Sequence, residues 1–373
     1  MFYRDTWVEV NLDRIAENVS NIKRHAGFEN LFAVVKANAY GHGDVEVARA
    51  ALDAGATHLA VAFMDEALKL RRDIKDVPLL VMGPVRPSDI AVAAEQNIDI
   101  TAHDLAWIEA AAGYEGVPAN VHLKIDSGMH RIGLTNADDF RKACEMLDAE
   151  SNLNLIGLFT HFATADGDVD HYQSQLNKVA EITEGYDLSR FKYVHESNSA
   201  ALLRHPQQPG TNGGRLGIAM YGLAPSDEFE LPCELKQAFS LHSRITQVKR
   251  LNKGDKVGYG ATFEAEDDML VGVIAIGYAD GWLRYHQNRP VEINGKEFQI
   301  VGRVCMDQTM IRVDESVKVG DQVNLLNDRF SVDLAAQDLN TINYEIVCSI
   351  SDRVPRVYTR GGETVSVRND RFK

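Results

Sequence analysis

One lysine has surroundings that suit base or Schiff-base chemistry, and one tyrosine stands out by its position between two glycines. Lys36 follows the apolar run LFAVV and precedes a small, glycine-rich turn, ANAYGHG. Apolar surroundings disfavour the charged ammonium group and lower its pKa, so the neutral amine can act as a base or form a Schiff base with a carbonyl. Tyr259 stands between two glycines in VGYGATF. A tyrosine in β structure usually packs in a core, so Tyr259 by itself does not identify chemistry.

Other polar residues follow apolar runs further along the chain. They are Lys124 with Asp126 and Arg131, His161, Asn198 with Ser199, and Arg215. A single lysine or histidine in such a place is more often a surface charge or a satisfied core residue. Barrel enzymes, however, place their chemistry at the carboxyl ends of their strands, so these four strand ends and that of Lys36 together predict one site. An inward lysine such as Lys124 also needs a partner or a neutralising modification.

The segment GTNGGRLGIAMYG (210–222) is the strongest candidate for a phosphate site. Barrel phosphate sites commonly use the loops after the last two strands and the start of a short helix. Gly217 and Ile218 can present backbone N–H groups to an anion there. Ser199, from the neighbouring loop, can add a hydroxyl group.

The residues up to about 235 alternate short apolar runs with segments of helical period. The predicted strands are 31–35, 58–63, 78–82, 98–101, 120–125, 153–159, 191–195 and, as the weakest, 213–217. One intervening helix carries Phe140, Cys144 and Leu147 on one face, and Thr135 is the expected start. Eight β-α units predict an α/β domain, a (β/α)₈ TIM-like barrel over 11–235.

The rhythm changes after residue 235, where short β-prone runs are separated by Gly, Asp and Asn turns. These runs include SLHSRITQVKRL, MLVGVIAIGY, TMIRV, DQVNLL and EIVCSI, with a short helix expected only near LAAQDL. The pattern predicts a mainly β domain over 236–373. We expect residues 1–10, which include the strand TWVEV, to join it.

Bulk composition excludes several function classes. The formal net charge of −15 argues against non-specific nucleic-acid binding. No apolar run reaches the roughly 18 residues that span a bilayer, and the opening residues lack a signal-peptide pattern. The four cysteines are scattered without a C-x-x-C pair, which indicates reduced thiols in a cytoplasmic protein without a zinc site.

Six ordered segments carry a family resemblance over nearly the whole chain. They are AVVKANAYGHG, RLGIAMYG, GYGAT, IGYADG, VGRVCMDQTM and RVPRVY. Together they resemble alanine racemases, which are isomerases of the fold-type III pyridoxal-phosphate enzymes. The resemblance implies a homodimer that interconverts L-alanine and D-alanine by a two-base mechanism and supplies D-alanine for peptidoglycan.

The resemblance also implies what individual residues do. Lys36 would carry pyridoxal phosphate and act as the base on the D-alanine face, and Tyr259, delivered by the partner subunit, would be the base for L-alanine. Arg215 would bind the pyridine nitrogen, supported by His161. The remaining contacts fall into two groups: Tyr40, Asn198, Ser199, Gly217 and Ile218 around the phosphate, and Arg131, Met306, Asp307 and Tyr278 around the substrate.

Two further positions matter within the resemblance. Lys124 is similar to a lysine that is carbamylated in many members, a change that turns a buried cation into an anion that orients Arg131. Asp352 stands where some members have a tyrosine that touches the phosphate. An acid would be unfavourable beside a phosphate, so we expect Asp352 to turn away or to find a cation.

Four alternatives stay open at the level of sequence. A decarboxylase of the same architecture typically pairs the pyridine nitrogen with a glutamate, where this chain offers Arg215. A racemase of broader specificity would differ only in its substrates. A cofactor-buffering barrel lacks the β domain, and a Schiff-base aldolase would bind no pyridoxal phosphate.

Overall fold

The computed structural model describes residues 2–372, which form two compact units. One unit comprises residues 15–39 and 44–236. The other comprises the chain up to residue 14, residues 40–43 and the chain from residue 237 onward. The chain opens with strand β1 (Thr6–Asn11), and the helix Leu12–Ala26 follows it.

Eight parallel strands close into a barrel in the first unit. They are β2 (Asn30–Val34), β3 (His58–Val61), β4 (Leu79–Pro84), β5 (Asp99–Ala102), β6 (Ala119–Lys124), β7 (Leu153–Phe159), β8 (Tyr193–Ser197) and β9 (Gly213–Leu216). β9 completes the ring by pairing with β2, with Arg215 opposite Phe32. The expected barrel is confirmed, including its weakest predicted strand.

Helices follow most of the barrel strands. They are Asp44–Asp53, Met64–Asp73, Ile90–Glu95, Leu105–Ala111, Ala137–Ala149, Val169–Ile182 and Ser199–Arg204. The predicted start at Thr135 is wrong by one residue, because Asn136 is the N-cap and its side chain accepts a hydrogen bond from the Asp139 backbone N–H. Within residues 2–372, no helix combines the length and the apolar character that a membrane span requires.

The second unit is built on a nine-stranded sheet. Seven strands follow the order β15-β14-β17-β10-β1-β18-β19, and β13 pairs with both β10 and β16. Their bounds are β10 (Phe239–Leu251), β13 (Met269–Ile274), β14 (Pro290–Ile293), β15 (Lys296–Gln299), β16 (Thr309–Val313), β17 (Gln322–Leu326), β18 (Arg356–Arg360) and β19 (Glu363–Arg368). β1 pairs antiparallel with β10 and parallel with β18, so the first strand of the chain lies inside this sheet.

A short hairpin and two helices complete the second unit. The hairpin consists of β11 (Lys256–Val257) and β12 (Phe263–Glu264). The helix Val332–Asp338 lies where LAAQDL predicted it. The prediction of a strand for EIVCSI is wrong, because Asn343–Ser349 is a helix that buries Asn343, Ile346 and Val347. A short apolar run fits either element, and here the three- and four-residue spacing of the buried face is helical.

Candidate active site

The barrel mouth gathers positive charge around His161. Burial and four cations hold the pKa of His161 well below its ordinary value, so this imidazole is neutral at neutral pH. The cations are Arg215, Lys124, Arg131 and Lys36. The structure therefore brings together residues that the sequence placed at the ends of different strands. Such a cluster suits a ligand that carries several negative charges.

Lys124 ends β6 and is 4% exposed. Its Nζ donates to the Ile125 carbonyl at 2.7 Å and lies 5.1 Å from the centre of the Phe159 ring. Burial, followed by the charge of Arg215, lowers the pKa of Lys124 to about 7. A substantial fraction of this amine is therefore neutral at neutral pH, which makes it a nucleophile.

Arg215 is buried and held in one orientation by several acceptors. Its Nη1 donates to His195 Nδ1 at 3.0 Å, and its Nη2 donates to the Thr160 and Glu196 carbonyls at 2.7 and 3.0 Å. Nη2 also reaches His161 Nδ1 at 3.2 Å. Within residues 2–372, Nε of Arg215 has no acceptor, and no carboxylate forms an ion pair with the guanidinium group. A charged donor therefore remains available for a ligand.

The residues of the candidate phosphate loop lie close together in the structure. Ser199 Oγ accepts a hydrogen bond from the Gly217 backbone N–H at 2.9 Å. Asn198 is the N-cap of the helix Ser199–Arg204, and its Nδ2 donates to the Phe162 carbonyl at 3.1 Å. Ile218 begins a short 3₁₀ helix directly after Gly217. A hydroxyl, an amide side chain and backbone N–H groups thus lie at the ends of β8 and β9.

The loop that carries Arg131 is fixed by Asp126. The carboxylate accepts hydrogen bonds from the backbone N–H groups of Gly128, His130 and Arg131 at 3.0, 3.0 and 2.8 Å. Burial would raise the pKa of Asp126, but these bonds outweigh it, so the pKa lies below its ordinary value. Asp126 therefore orients the backbone of the loop that carries Arg131.

A left-handed turn follows Lys36. Ala37, Asn38, Ala39 and Tyr40 have φ values of 52°, 53°, 51° and 51°. This conformation is unfavourable for L-residues by about 1–2 kcal/mol each, so the turn is strained and needs stabilising contacts from other residues. Glu66 holds it, because its carboxylate accepts from the N–H of Ala37 at 2.6 Å and from that of Ala62 at 2.8 Å. Tyr40, at the end of the turn, is buried beside Tyr344.

Replacement of Ala37 by glycine tests this strain. Ala37 is exposed, and glycine adopts positive φ without the steric cost, so Ala37→Gly should raise the free energy of unfolding by about 1 kcal/mol. Ala110 is a matched control, because it is exposed inside the helix Leu105–Ala111 and its change to glycine should lower that free energy by about 1 kcal/mol. Denaturant midpoints check both. Destabilisation by both variants would contradict the strained turn.

Tyr259 lies at the tip of the hairpin in the second unit and is 72% exposed. The flanking Gly258 and Gly260 have φ values of 74° and 73°, which only glycine adopts readily. Tyr259, Met306 and Asp307 line one surface pocket. Met306 is 53% exposed, so this face presents its tyrosine and methionine to solvent in the single chain.

Two close contacts set the positions of Tyr278 and Met306. The backbone N–H of Tyr278 donates to the Cys305 carbonyl at 3.0 Å, and that of Ala279 to the Met306 carbonyl at 3.1 Å. A Cβ atom on Gly277 would lie 2.2 Å from the Cys305 carbonyl oxygen, so only glycine permits this approach. Asp307 pairs with Arg353 at 2.7 Å.

Asp352 finds a cation, as the sequence led us to expect. Its Oδ1 lies 3.2 Å from Arg371 Nη2, and both side chains are exposed. The acid is therefore accommodated at the surface by an ion pair of modest energy. In the part of the chain that the structure describes, no group of three His, Cys, Asp or Glu side chains could hold a metal ion.

The sequence analysis missed two groups of this site. Glu66 holds the turn after Lys36 and does not stand at the end of a predicted strand. His195 accepts from Arg215 and is the last residue of the predicted strand 191–195, but no role was expected for it there. For His195 a signal existed. Side chains alternate between the two faces of a strand, so Tyr193, His195 and Ser197 lie on the same face of β8. Nothing in the sequence around Glu66 indicated that its carboxylate would accept a hydrogen bond from the backbone of residue 37.

The sequence matches two family models and a known alanine racemase. The model of the alanine racemase N-terminal domain matches residues 10–225, and that of the C-terminal domain matches residues 238–358. An alanine racemase of Anoxybacillus flavithermus is 48% identical over 99% of this chain and 98% of its own.

Solved structures of racemases are also similar to this chain. Alanine racemase from Bacillus anthracis with bound L-Ala-P superposes with a TM-score of 0.92 at 44% identity, over 99% of this chain and 98% of that one. A histidine racemase from Leuconostoc mesenteroides reaches 0.91 at 31% identity, over 96% and 99%. With both domains matched in order and over nearly its full length, the chain belongs to the alanine racemase family.

Proposed function

We propose that this protein interconverts L-alanine and D-alanine with pyridoxal phosphate as its cofactor, and so supplies D-alanine for peptidoglycan. The observation that carries the proposal is Arg215. It offers a charged Nε–H that has no acceptor among residues 2–372, in a chain that belongs to the alanine racemase family.

The residues present fit this cofactor. Its phosphate and phenolate oxygens are anionic, and the cluster around His161 supplies compensating cations. Lys36 would hold the cofactor covalently, and the Nε–H of Arg215 would face its pyridine nitrogen, with His161 bracing the guanidinium group. The phosphate would be held by hydroxyl, amide and backbone donors: Tyr40, Asn198, Ser199, Gly217 and Ile218.

Racemisation needs two bases on opposite faces of the substrate's Cα. When bound, pyridoxal phosphate supplies the electron sink that makes the Cα–H bond acidic. Lys36 Nζ takes or returns the proton on one face, and the hydroxyl of Tyr259 of the partner subunit serves the other. The exposure of Tyr259 in the single chain supports this division between subunits. The substrate carboxylate would meet Arg131 and Met306, with Asp307 beside them and Tyr278 at the entrance.

Arg215 favours racemisation over other reactions of this cofactor. A carboxylate beside the pyridine nitrogen keeps it protonated, whereas an arginine, which stays charged, disfavours a second positive charge there. The weakened sink suppresses transamination. Glu196 does not change this conclusion, because Arg215 contacts its backbone carbonyl, and burial raises the pKa of its carboxyl to about 7. A decarboxylase-like glutamate at the pyridine nitrogen is therefore not the arrangement that these contacts support.

Lys124 is the expected site of a carbamate. Its neutral Nζ attacks CO₂, an N–C bond forms and one N–H proton leaves to solvent, so the buried amine becomes an anion near Arg131. With isotope-labelled bicarbonate, NMR of the wild type should show a carbamate carbon that is absent from Lys124→Met. Lys192→Met is a suitable control and should keep the carbamate signal, because Lys192 is exposed and its hydrogen bond to Tyr193 raises its pKa. A signal that survives Lys124→Met would contradict the assignment.

Enantiomer-resolved assays of the purified protein test the proposed function. We expect L- and D-alanine to interconvert, with visible absorbance from bound cofactor that borohydride fixes on Lys36, as mass mapping of the peptide would show. Histidine and serine belong in the same assay, because a histidine racemase shares this fold closely. Faster turnover of another amino acid would show that this amino acid, and not alanine, is the preferred substrate. Absence of bound cofactor would overturn the proposal.

A further inference from the structure

A chain of side chains runs through the barrel interior behind Arg215. Arg215 Nη1 lies 3.0 Å from His195 Nδ1, and His195 Nε2 lies 3.0 Å from His122 Nδ1. His122 Nε2 faces Asp99 Oδ2 at 3.6 Å. Both imidazoles are completely buried, and Asp99 is 5% exposed. Four strands of the barrel, β9, β8, β6 and β5, thus contribute one residue each.

The hydrogen-bond donors along this series of side chains, from Arg215 to Asp99, can point in only one direction. A guanidinium group has donors and no acceptor, so His195 Nδ1 must be bare and the proton must sit on Nε2. That proton is donated to His122 Nδ1, which places the proton of His122 on Nε2, toward Asp99. At 3.6 Å the carboxylate is beyond a hydrogen bond, but its charge favours a proton on the nearer nitrogen. Arg215 at one end of this series and Asp99 at the other therefore require the same tautomers of the two histidines between them.

The barrel is shaped to hold these two rings. A Cβ atom on Gly157 would lie 2.1 Å from His122 Nδ1, and one on Gly213 would lie 2.9 Å from His195 Cβ. His195 is also stacked between Phe32 and Phe159, with ring centres 4.6 and 4.8 Å away. With aromatic faces and glycines around the ring, His122 is the acceptor that residues 2–372 offer to the Nε2–H of His195. Burial, followed by the charge of Arg215, keeps the pKa of His195 well below its ordinary value.

We propose that His195, His122 and Asp99 are positioning residues that fix the guanidinium group of Arg215 for the cofactor. This inference rests on the proposed function, in which Arg215 faces the pyridine nitrogen. Without His122, the Nε2–H of His195 would be buried without an acceptor, and the ring and Arg215 would shift to relieve that cost. Asp99 acts one step further away, by making His122 Nδ1 a better acceptor.

His58 provides a matched control within the same interior. It is 4% exposed and its ring stacks on Phe32 at 4.3 Å, but its Nδ1 contacts Thr57 Oγ1 and it lies outside the chain to Arg215. A His58→Gln variant therefore perturbs the packing of the same layer and leaves the chain intact. If the imidazoles only fill space, substitutions of His58 and His122 should act alike.

Two measurements on the cofactor-loaded enzyme test the proposal. Neutron crystallography of the wild type should show a proton on Nε2 and none on Nδ1 of both His195 and His122. In kinetics, His122→Leu should lower kcat for racemisation about tenfold and raise the ratio of transamination to racemisation by a similar factor, with KM little changed. Asp99→Ala should move both quantities the same way by less. His122→Asn, which restores an acceptor, should recover most of the loss.

The outcomes separate the inference from the proposed function. A wild type without bound cofactor or racemase activity would overturn the proposed function. A fully active wild type in which His122→Leu matches His58→Gln in kcat and in reaction ratio would overturn the inference alone. A proton on His195 Nδ1 would also overturn it, and this readout stands even if His122→Leu fails to fold.

Discussion

A Lys36→Ala variant is expected to fold like the wild type and to lose roughly 10³-fold or more of its racemase activity. The side chain is only partly buried and lies two residues after the end of β2, so its removal leaves no large cavity in the core. Under the proposed function, the variant lacks the covalent anchor of the cofactor together with one of the two bases. Activity with each enantiomer, cofactor absorbance and the thermal unfolding midpoint check this prediction.

Lys142→Ala is the matched control for the loss of a lysine. Its side chain is 56% exposed on a barrel helix, and it makes only a 3.8 Å ion pair with Glu109. Activity and absorbance should both remain at the wild-type level in this variant. Cofactor absorbance and borohydride labelling that persist unchanged in Lys36→Ala would show that another lysine holds the cofactor.

A Tyr259→Phe variant is expected to be nearly inactive alone, yet able to restore activity when its subunits are mixed with those of Lys36→Ala. If each site takes Lys36 from one chain and Tyr259 from the other, a mixed dimer has one site with both defects and one intact site. Random exchange makes half of the dimers mixed, so about a quarter of the wild-type activity should return. Tyr259 is 72% exposed, so its loss should leave stability nearly unchanged.

The mixing experiment needs proof that subunits exchange. Co-expression with two different affinity tags isolates the mixed dimers, whose activity should approach half of the wild-type value. Mixed Tyr259→Phe and wild-type dimers serve as a reference for one lost site. If both bases come from the same chain, every site in the mixture of the two variants carries a defect and nothing returns.

The barrel could be predicted because its strands are short, apolar and regularly spaced. Even GGRLG, with three glycines, becomes β9, since a closed barrel needs the eighth strand to pair with β2. The helix at Asn343–Ser349 could not be distinguished from a strand, because a six-residue apolar run such as EIVCSI satisfies both periods. Tertiary packing, which buries one face of this helix, decides between them.

The candidate site was only partly visible in the sequence. Polar residues at strand ends, such as Lys124 and Arg215, follow from the rule that parallel strands present their carboxyl ends together. His122 lies in the middle of the predicted strand 120–125, and His195, the last residue of the predicted strand 191–195, lies in the middle of β8, so each by itself suggests core packing. Their connection depends on the register between β6, β7 and β8, which local sequence does not contain.

The strained turn after Lys36 has a consequence for the order in which the molecule assembles. The conformation of residues 37–40 is unfavourable by itself, and Glu66, which holds it, arrives 29 residues later than Ala37. A nascent chain that has just produced Lys36 therefore cannot yet present the amine correctly. Only when the helix Met64–Asp73 has formed and brought Glu66 to the turn does this constraint act. Capture of the cofactor should thus follow, and report on, completion of the first two β-α units.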